Sequence, residues 1–129
     1  MEIVRREQRE SFVTADGALI RELAGVPSRN AANQSLAEAT VPPGRTTVAH
    51  LHRRSEEIYL FTEGAGRMRL GEEESRVGAG DCVVIPPGVA HKLWADEPDP
   101  LILLCCCAPA YSDADTELLE DPAVGDATG

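Results

Sequence analysis

Two of the chain's three histidines, His50 and His52, stand two residues apart in the stretch GRTTVAHLHRRSEEIYLFTEG (44–64). Side chains alternate across an extended strand, so this spacing puts both imidazoles on one face, within reach of a single ion. Glu57 follows in EEIYLF, whose β-branched and aromatic content predicts a strand returning antiparallel beside the histidines, with RRS (53–55) as the hairpin turn. Glu56 competes for the carboxylate role, but Glu57 keeps parity with Tyr59 and Phe61 and takes precedence. The third histidine, His91, closes GDCVVIPPGVAH, where a rigid Pro-Pro-Gly turn sets the angle at which it arrives. Imidazoles with one carboxylate are a donor set for a first-row transition metal. A six-coordinate ion so held keeps positions open for substrate and O₂, or for Lewis-acid work on a carbonyl or enediol.

The elements that must position these groups read as short strands between turns. SFVT (11–14) is an edge strand at the end of an N-terminal arm (1–14), ADG (15–17) a turn, and ALIRELAG (18–25) a strand or a single helical turn. QSLAEATV (34–41) alternates at period two, with Gln34, Leu36, Glu38 and Thr40 on one side; either side could face a cavity. Pro42, Pro43 and Gly44 end it. RMRL (67–70), a tight turn at GEEE and a return through SRV (75–77) form a hairpin, in which Glu72, Glu73 and Glu74 read as a solvated turn rather than a cation site. LILLCCCA (101–108) is a continuous apolar run, the pattern of a strand buried on both faces, either in the barrel or under a dimer partner. SDADTELL (112–119) predicts a brief helix capped by Ser112 or Asp113, followed by an acidic flexible tail (121–129).

Parity extends the wall around the candidate ligands. Val48 shares the face of His50 and His52, Tyr59 and Phe61 that of Glu57, and Leu93 that of His91. The wall is mostly apolar, and the Tyr59 hydroxyl is its obvious proton donor, a candidate catalytic group. Trp94, of opposite parity to His91, packs outward against another sheet or a second subunit. Arg45, Arg53, Arg54, Arg67 and Arg69 read first as solvated surface and second as a mouth for an acidic substrate.

Bulk properties narrow the partners. A chain of 129 residues makes one domain, able to bury about two-thirds of its unfolded surface without covalent staples. A formal charge of −10, with no basic patch, argues against nucleic acid and anionic membrane. No apolar run approaches the roughly 20 residues of a membrane span, and MEIVRREQRE lacks the apolar core of a signal peptide, so the expected location is cytoplasmic. In that reducing setting Cys82 and the triplet Cys105, Cys106 and Cys107 read as buried thiols rather than disulfides; one of Cys105 and Cys107 could line the pocket without ligating. No helix-turn-helix segment suggests a one-component regulator.

These residues carry a resemblance. Gly44-x5-His50-x-His52-x4-Glu57-x6-Gly64 resembles the first motif of the cupin superfamily, and Gly80-x5-Pro86-x-Gly88-x2-His91 the second, separated by fifteen residues (65–79). Ala95 stands where the second motif usually has an Asn that is not a ligand. NQSLAEATVPPG (33–44) and CCCAPAYSDADTELLE (105–120) resemble small cupins labelled mannose-6-phosphate-isomerase-like, so the resemblance covers residues 15–120. It implies an all-β double-stranded β-helix, or jelly roll, of two antiparallel sheets. It further implies His50, His52, Glu57 and His91 as ligands of one divalent ion, iron or manganese ahead of nickel, zinc or copper, with three histidines alone as the variant set. The activity implied is that of an oxygenase, dioxygenase or related lyase on a small polar metabolite. A non-catalytic metal- or metabolite-binding module and a sugar or sugar-phosphate isomerase or epimerase are the alternatives. Such proteins are usually homodimers.

Overall fold

The computed structural model describes residues 1–121. Eleven strands are present among them: β1 (Phe12–Val13), β2 (Leu19–Ala24), β3 (Ser35–Val41), β4 (His50–His52), β5 (Glu56–Glu63), β6 (Ala65–Leu70), β7 (Glu73–Gly78), β8 (Cys82–Ile85), β9 (His91–Ala95), β10 (Leu101–Ala108) and β11 (Thr116–Leu118). They pair antiparallel into a six-stranded sheet, ordered β1-β2-β3-β10-β5-β8, and a five-stranded sheet, ordered β11-β4-β9-β6-β7. This is the jelly roll implied by the sequence. The predicted tail falls outside the described residues except for Asp121.

The alternation of β5 drives the sheets together. Glu57, Tyr59 and Phe61 are buried while Glu56, Ile58, Leu60 and Thr62 are exposed, so one face meets the opposite sheet and the other faces outward. Between the sheets Phe61, Ile85, Leu101 and Leu103 are each at most 1% exposed and pack with Val41, Met68 and Leu93. Each such side chain contributes about 1.5–3 kcal/mol relative to its exposed state. The motif glycine Gly64 turns the chain from β5 to β6 at φ +79°, where a Cβ would stand 2.1 Å from the Pro100 carbonyl oxygen. A left-handed backbone and the close approach of the Pro100–Leu101 backbone both require glycine there.

Three expectations are corrected. The strand carrying Glu57 does not return beside the histidine strand: β4 and β5 lie in different sheets, so Arg53–Ser55 crosses between sheets instead of closing a hairpin. That crossing is held from outside, by the Asp115 carboxylate accepting from the backbone N–H groups of Arg54 and Ser55 at 2.9 and 3.0 Å. The predicted C-terminal helix is one 3₁₀ turn, Asp113–Asp115, capped by the Ser112 hydroxyl, after which TEL becomes β11. A free edge beside β4 outcompetes helix propensity, pairing Thr116 with His52 and Leu118 with His50. The strand 101–108 alternates: Leu101, Leu103 and Cys107 are buried, whereas Ile102, Leu104 and Cys106 are half-buried on the outer face.

Trp94 does point outward, but its ring is covered by cations of its own sheet, with the Arg67 guanidinium 4.2 Å and Lys92 Nζ 5.3 Å from the ring centre. The expected edge strand at the end of the N-terminal arm is present. Phe12 and Val13 pair with Ile20 and Leu19, and Arg6 grips the Glu38 carboxylate on β3.

Candidate metal centre

The centre is assembled across the two sheets. β4 presents His50 and His52 on its inner face, and β9 sets His91 directly opposite His50, with ring centroids 4.2 Å apart. The Pro-Pro-Gly turn is tied to the histidine strand by the Gly88 N–H donating to the His52 carbonyl at 2.7 Å, which fixes where β9 begins. Glu57 reaches across from β5, placing Oε1 3.1 Å from His52 Nε2 and 3.3 Å from His91 Nε2. One ligand atom from each of the four residues lies within 4.8 Å of the others, and all four residues are at most 5% exposed. Glu56, the competing carboxylate, is exposed and faces away.

The surroundings fix the tautomer of every ring. His50 Nδ1 lies 2.8 Å from the Val48 carbonyl and His91 Nδ1 3.0 Å from the Val89 carbonyl; a carbonyl only accepts, so each Nδ1 carries a proton. His52 Nδ1 lies 2.9 Å from Thr116 Oγ1, whose own proton donates to the Ser112 carbonyl at 2.9 Å, so His52 Nδ1 is also the donor. Three Nε2 lone pairs and a carboxylate oxygen therefore converge. His91 Nε2 is buried and lacks any hydrogen-bond partner. Opposed acceptors of this kind require a cation between them, a proton or a metal ion, and the donor set suits a first-row divalent metal. Backbone carbonyls and a hydroxyl holding the far nitrogens are the outer partners that orient metal-bound histidines. On this test the residues present fit a metal.

Burial alone would raise the Glu57 pKa, but its contacts with His52 and His91 outweigh burial and hold the carboxyl well below the usual carboxylate range, the direction that a cation held among these atoms also imposes. Its second oxygen, Oε2, accepts from the Cys107 thiol at 3.2 Å. Burial, followed by the Glu57 charge, pushes that thiol well above its ordinary value and keeps it protonated. Burial and then the neighbouring His91 lower the His50 pKa, favouring the neutral ring a metal needs.

Next to the centre is a cavity of about 90 Å³. His50, His52 and Glu57 line it; His91 sits behind them. Of the side chains chosen by parity, Tyr59 and Leu93 line the cavity, whereas Val48 and Phe61 are buried in the core. Tyr59 is 4% exposed, and burial followed by the Glu57 charge raises its phenol well above the ordinary tyrosine value. On β3 the side facing the cavity is Ser35, Ala37, Ala39 and Val41. Cys105 and Cys107 both line the cavity, so the triplet points two thiols inward and one outward.

Sequence reasoning passed over several groups. Asp16, in the ADG turn, sets Oδ2 3.7 Å from His50 Nε2. Thr116 sat inside a predicted helix, and Tyr111 lines the cavity with its ring 5.7 Å from that of His52. None follows a periodicity that points inward; only the turn and the β11 pairing bring them there. Conversely, none of Arg45, Arg53, Arg54, Arg67 or Arg69 lines the cavity.

Comparison with known proteins agrees with this geometry. A family profile described as the cupin domain matches residues 37–107. An uncharacterized protein of Methanocaldococcus jannaschii, MJ1618, is 44% identical over 122 residues, 93% of this chain and 98% of its own length. Among solved structures, the polyketide cyclase RemF of Streptomyces resistomycificus superposes with a TM-score of 0.79 at 22% identity, covering 94% of this chain and 87% of that one. The Streptomyces nucleoside dehydratase Pac13 superposes with a TM-score of 0.76 at 18% identity, covering 93% and 92%. At such identities these two structures speak for the fold alone. With the two motifs in register, the family profile over more than half its length and a full-length relative, the chain belongs to the cupin family.

Proposed function

We propose that this protein is a metal-dependent cupin enzyme acting on a small polar metabolite, by lyase or oxygenase chemistry. The observation that carries the reading is the His91 Nε2 atom, buried without a partner and facing Glu57 Oε1 beside two more imidazole lone pairs. His50, His52, Glu57 and His91 would hold the ion, with iron or manganese favoured. When bound, it supplies a Lewis acid with open positions next to the cavity.

The remaining roles belong to the chain. Tyr59 stays protonated across the neutral range and can donate to an oxygen of the substrate, which suits the departure of a hydroxyl or protonation of an enolate. Ala37, Ala39, Val41 and Leu93 exclude bulk water and limit the substrate to a small molecule. Two solved structures of the same fold are those of a dehydratase and a cyclase, so this fold does host enzymes. Among the described residues neither lysine nor arginine lines the cavity, which weighs against a sugar-phosphate isomerase.

Elemental analysis of protein purified without added metal, followed by turnover screens of the loaded protein with and without O₂, tests this. We expect near-stoichiometric metal that is lost on His50→Ala, and product formed by wild type only. Turnover without O₂ selects the lyase branch, and turnover dependent on O₂ the oxygenase. Metal-free protein that takes up no first-row divalent ion would refute the proposal.

We also infer a homodimer built on the outer face of the six-stranded sheet. There Ile58, Leu60 and Val84 are 38%, 40% and 52% exposed and adjoin Leu104 and Cys106 on the neighbouring strand.

A further inference from the structure

We infer that the cavity takes an uncharged or cationic hydroxyl-bearing molecule, one hydroxyl donating to Asp16 Oδ2, and rejects phosphorylated and carboxylated ones. The inference rests on the function proposed above and narrows its substrate class.

The charged side chains that line the cavity are Asp16, Glu22 and Glu57, and neither lysine nor arginine is among the lining residues. A divalent ion at the histidines would still leave one net negative charge around the ligand. In a partly desolvated cavity that charge acts at short range and with little screening, so an anionic ligand gains the ion's attraction but meets three carboxylates. Arg67, Lys92 and Arg53 are engaged elsewhere: Arg67 and Lys92 lie over Trp94, Lys92 also pairs with Glu120, and Arg53 donates to the Ala114 carbonyl.

Asp16 is built to accept from a ligand. Its Oδ1 accepts from the Thr14 hydroxyl and from the Ala18 N–H, which locks the carboxylate on the turn between β1 and β2. The Asp16 carbonyl accepts from the Val48 N–H at 2.7 Å, tying that turn to the segment that leads into the histidine strand. Oδ2 is thereby aimed at the centre yet stands 3.7 Å from His50 Nε2, too far for a hydrogen bond. Tyr59 lines the same cavity, and a phenol O–H donates to an oxygen. A hydroxyl serves both: it donates to Asp16 and accepts from Tyr59, whereas a carboxylate or phosphate can only accept and would confront Asp16 with a second acceptor. The cavity's volume of about 90 Å³ confines the ligand to a few heavy atoms at its buried end.

The test uses the full chain, metal-free and zinc-loaded, titrated by ligand-observed NMR with matched probes. These are glycerol, serinol and D-ribose against glycerol 3-phosphate, D-glycerate and D-ribose 5-phosphate. The neutral and cationic probes should bind at least about tenfold more tightly than their anionic counterparts, a gap that narrows with added salt. Asp16→Asn keeps the acceptor Oδ1 and removes the charge, so it should weaken serinol most and shrink the gap. Glu22→Gln, a second carboxylate lining the cavity, should shrink it without loss of the Asp16 contact. Equal or tighter binding of the phosphate or carboxylate probes would overturn the inference, as would failure of every neutral and cationic probe to bind. Failure of the metal reading shows separately, as absence of zinc uptake, and leaves the charge preference measurable in the metal-free protein.

Discussion

The Thr116 hydroxyl accepts from His52 Nδ1 at 2.9 Å, because its own proton is committed to the Ser112 carbonyl. A residue from the last described strand thus decides which nitrogen of a ligand histidine is free for the ion. Thr116→Val keeps the shape and strand propensity while removing the acceptor, and should lower metal affinity by about 10- to 100-fold. Thr116→Ser should restore most of it. Chelator competition on wild type and both variants measures this; equal affinity for all three would mean that the ring is oriented by packing alone.

Cys107 occupies the other oxygen of Glu57, leaving Oε1 turned toward His52 and His91. Replacement by Val removes the S–H donor from a buried carboxylate, and thermal or urea unfolding should show a loss of about 1–3 kcal/mol. Cys107→Ser retains a donor and should recover part of the stability. A cobalt-loaded sample should also change its visible absorption in the Val variant, since the carboxylate is free to rotate.

Stability of the metal-free protein should fall with acid. His50 is held below its ordinary value of about 6.5, so the unfolded chain takes up a proton there that the folded chain refuses. That contribution is fully present above the unfolded value and is lost as pH falls through the lower folded value. Glu57, also lowered, acts with the same sign at more acidic pH. Urea titrations from pH 8 to pH 4 should give a midpoint that drops below about pH 6.5 and drops less in His50→Gln. A midpoint independent of pH in wild type would contradict the buried neutral ring.

The outer face of the six-stranded sheet should mediate self-association. Leu60→Glu places a charge in the middle of the exposed Ile58, Leu60 and Val84 row and should convert a dimer to a monomer in light scattering coupled to size exclusion. Because Leu60 is 40% exposed, this change should leave monomer folding nearly intact. A wild-type mass of one chain would end the dimer proposal.

The candidate ligand set, which the structure brings together, was named from the sequence. The parity of His50 and His52 is a property of any extended strand, and the spacing of turn glycines and prolines around Glu57 and His91 needs no tertiary information. Short alternating runs between turns indicated strands, and the resemblance to the cupin motifs implied that they form two antiparallel sheets. Only the tertiary structure decided which strands became neighbours. β4 and β5 read as a hairpin because they are adjacent in sequence, yet they lie on opposite sheets, and this separation lets Glu57 face the histidines instead of lying beside them. The segment TEL became a strand because β4 offered an open edge, a fact absent from its local propensities. Asp16 and Thr116 reached the centre through turn geometry and edge pairing, which depend on contacts between residues far apart in the chain. Local sequence sets the direction of a side chain on its own strand; only long-range packing sets what it meets there.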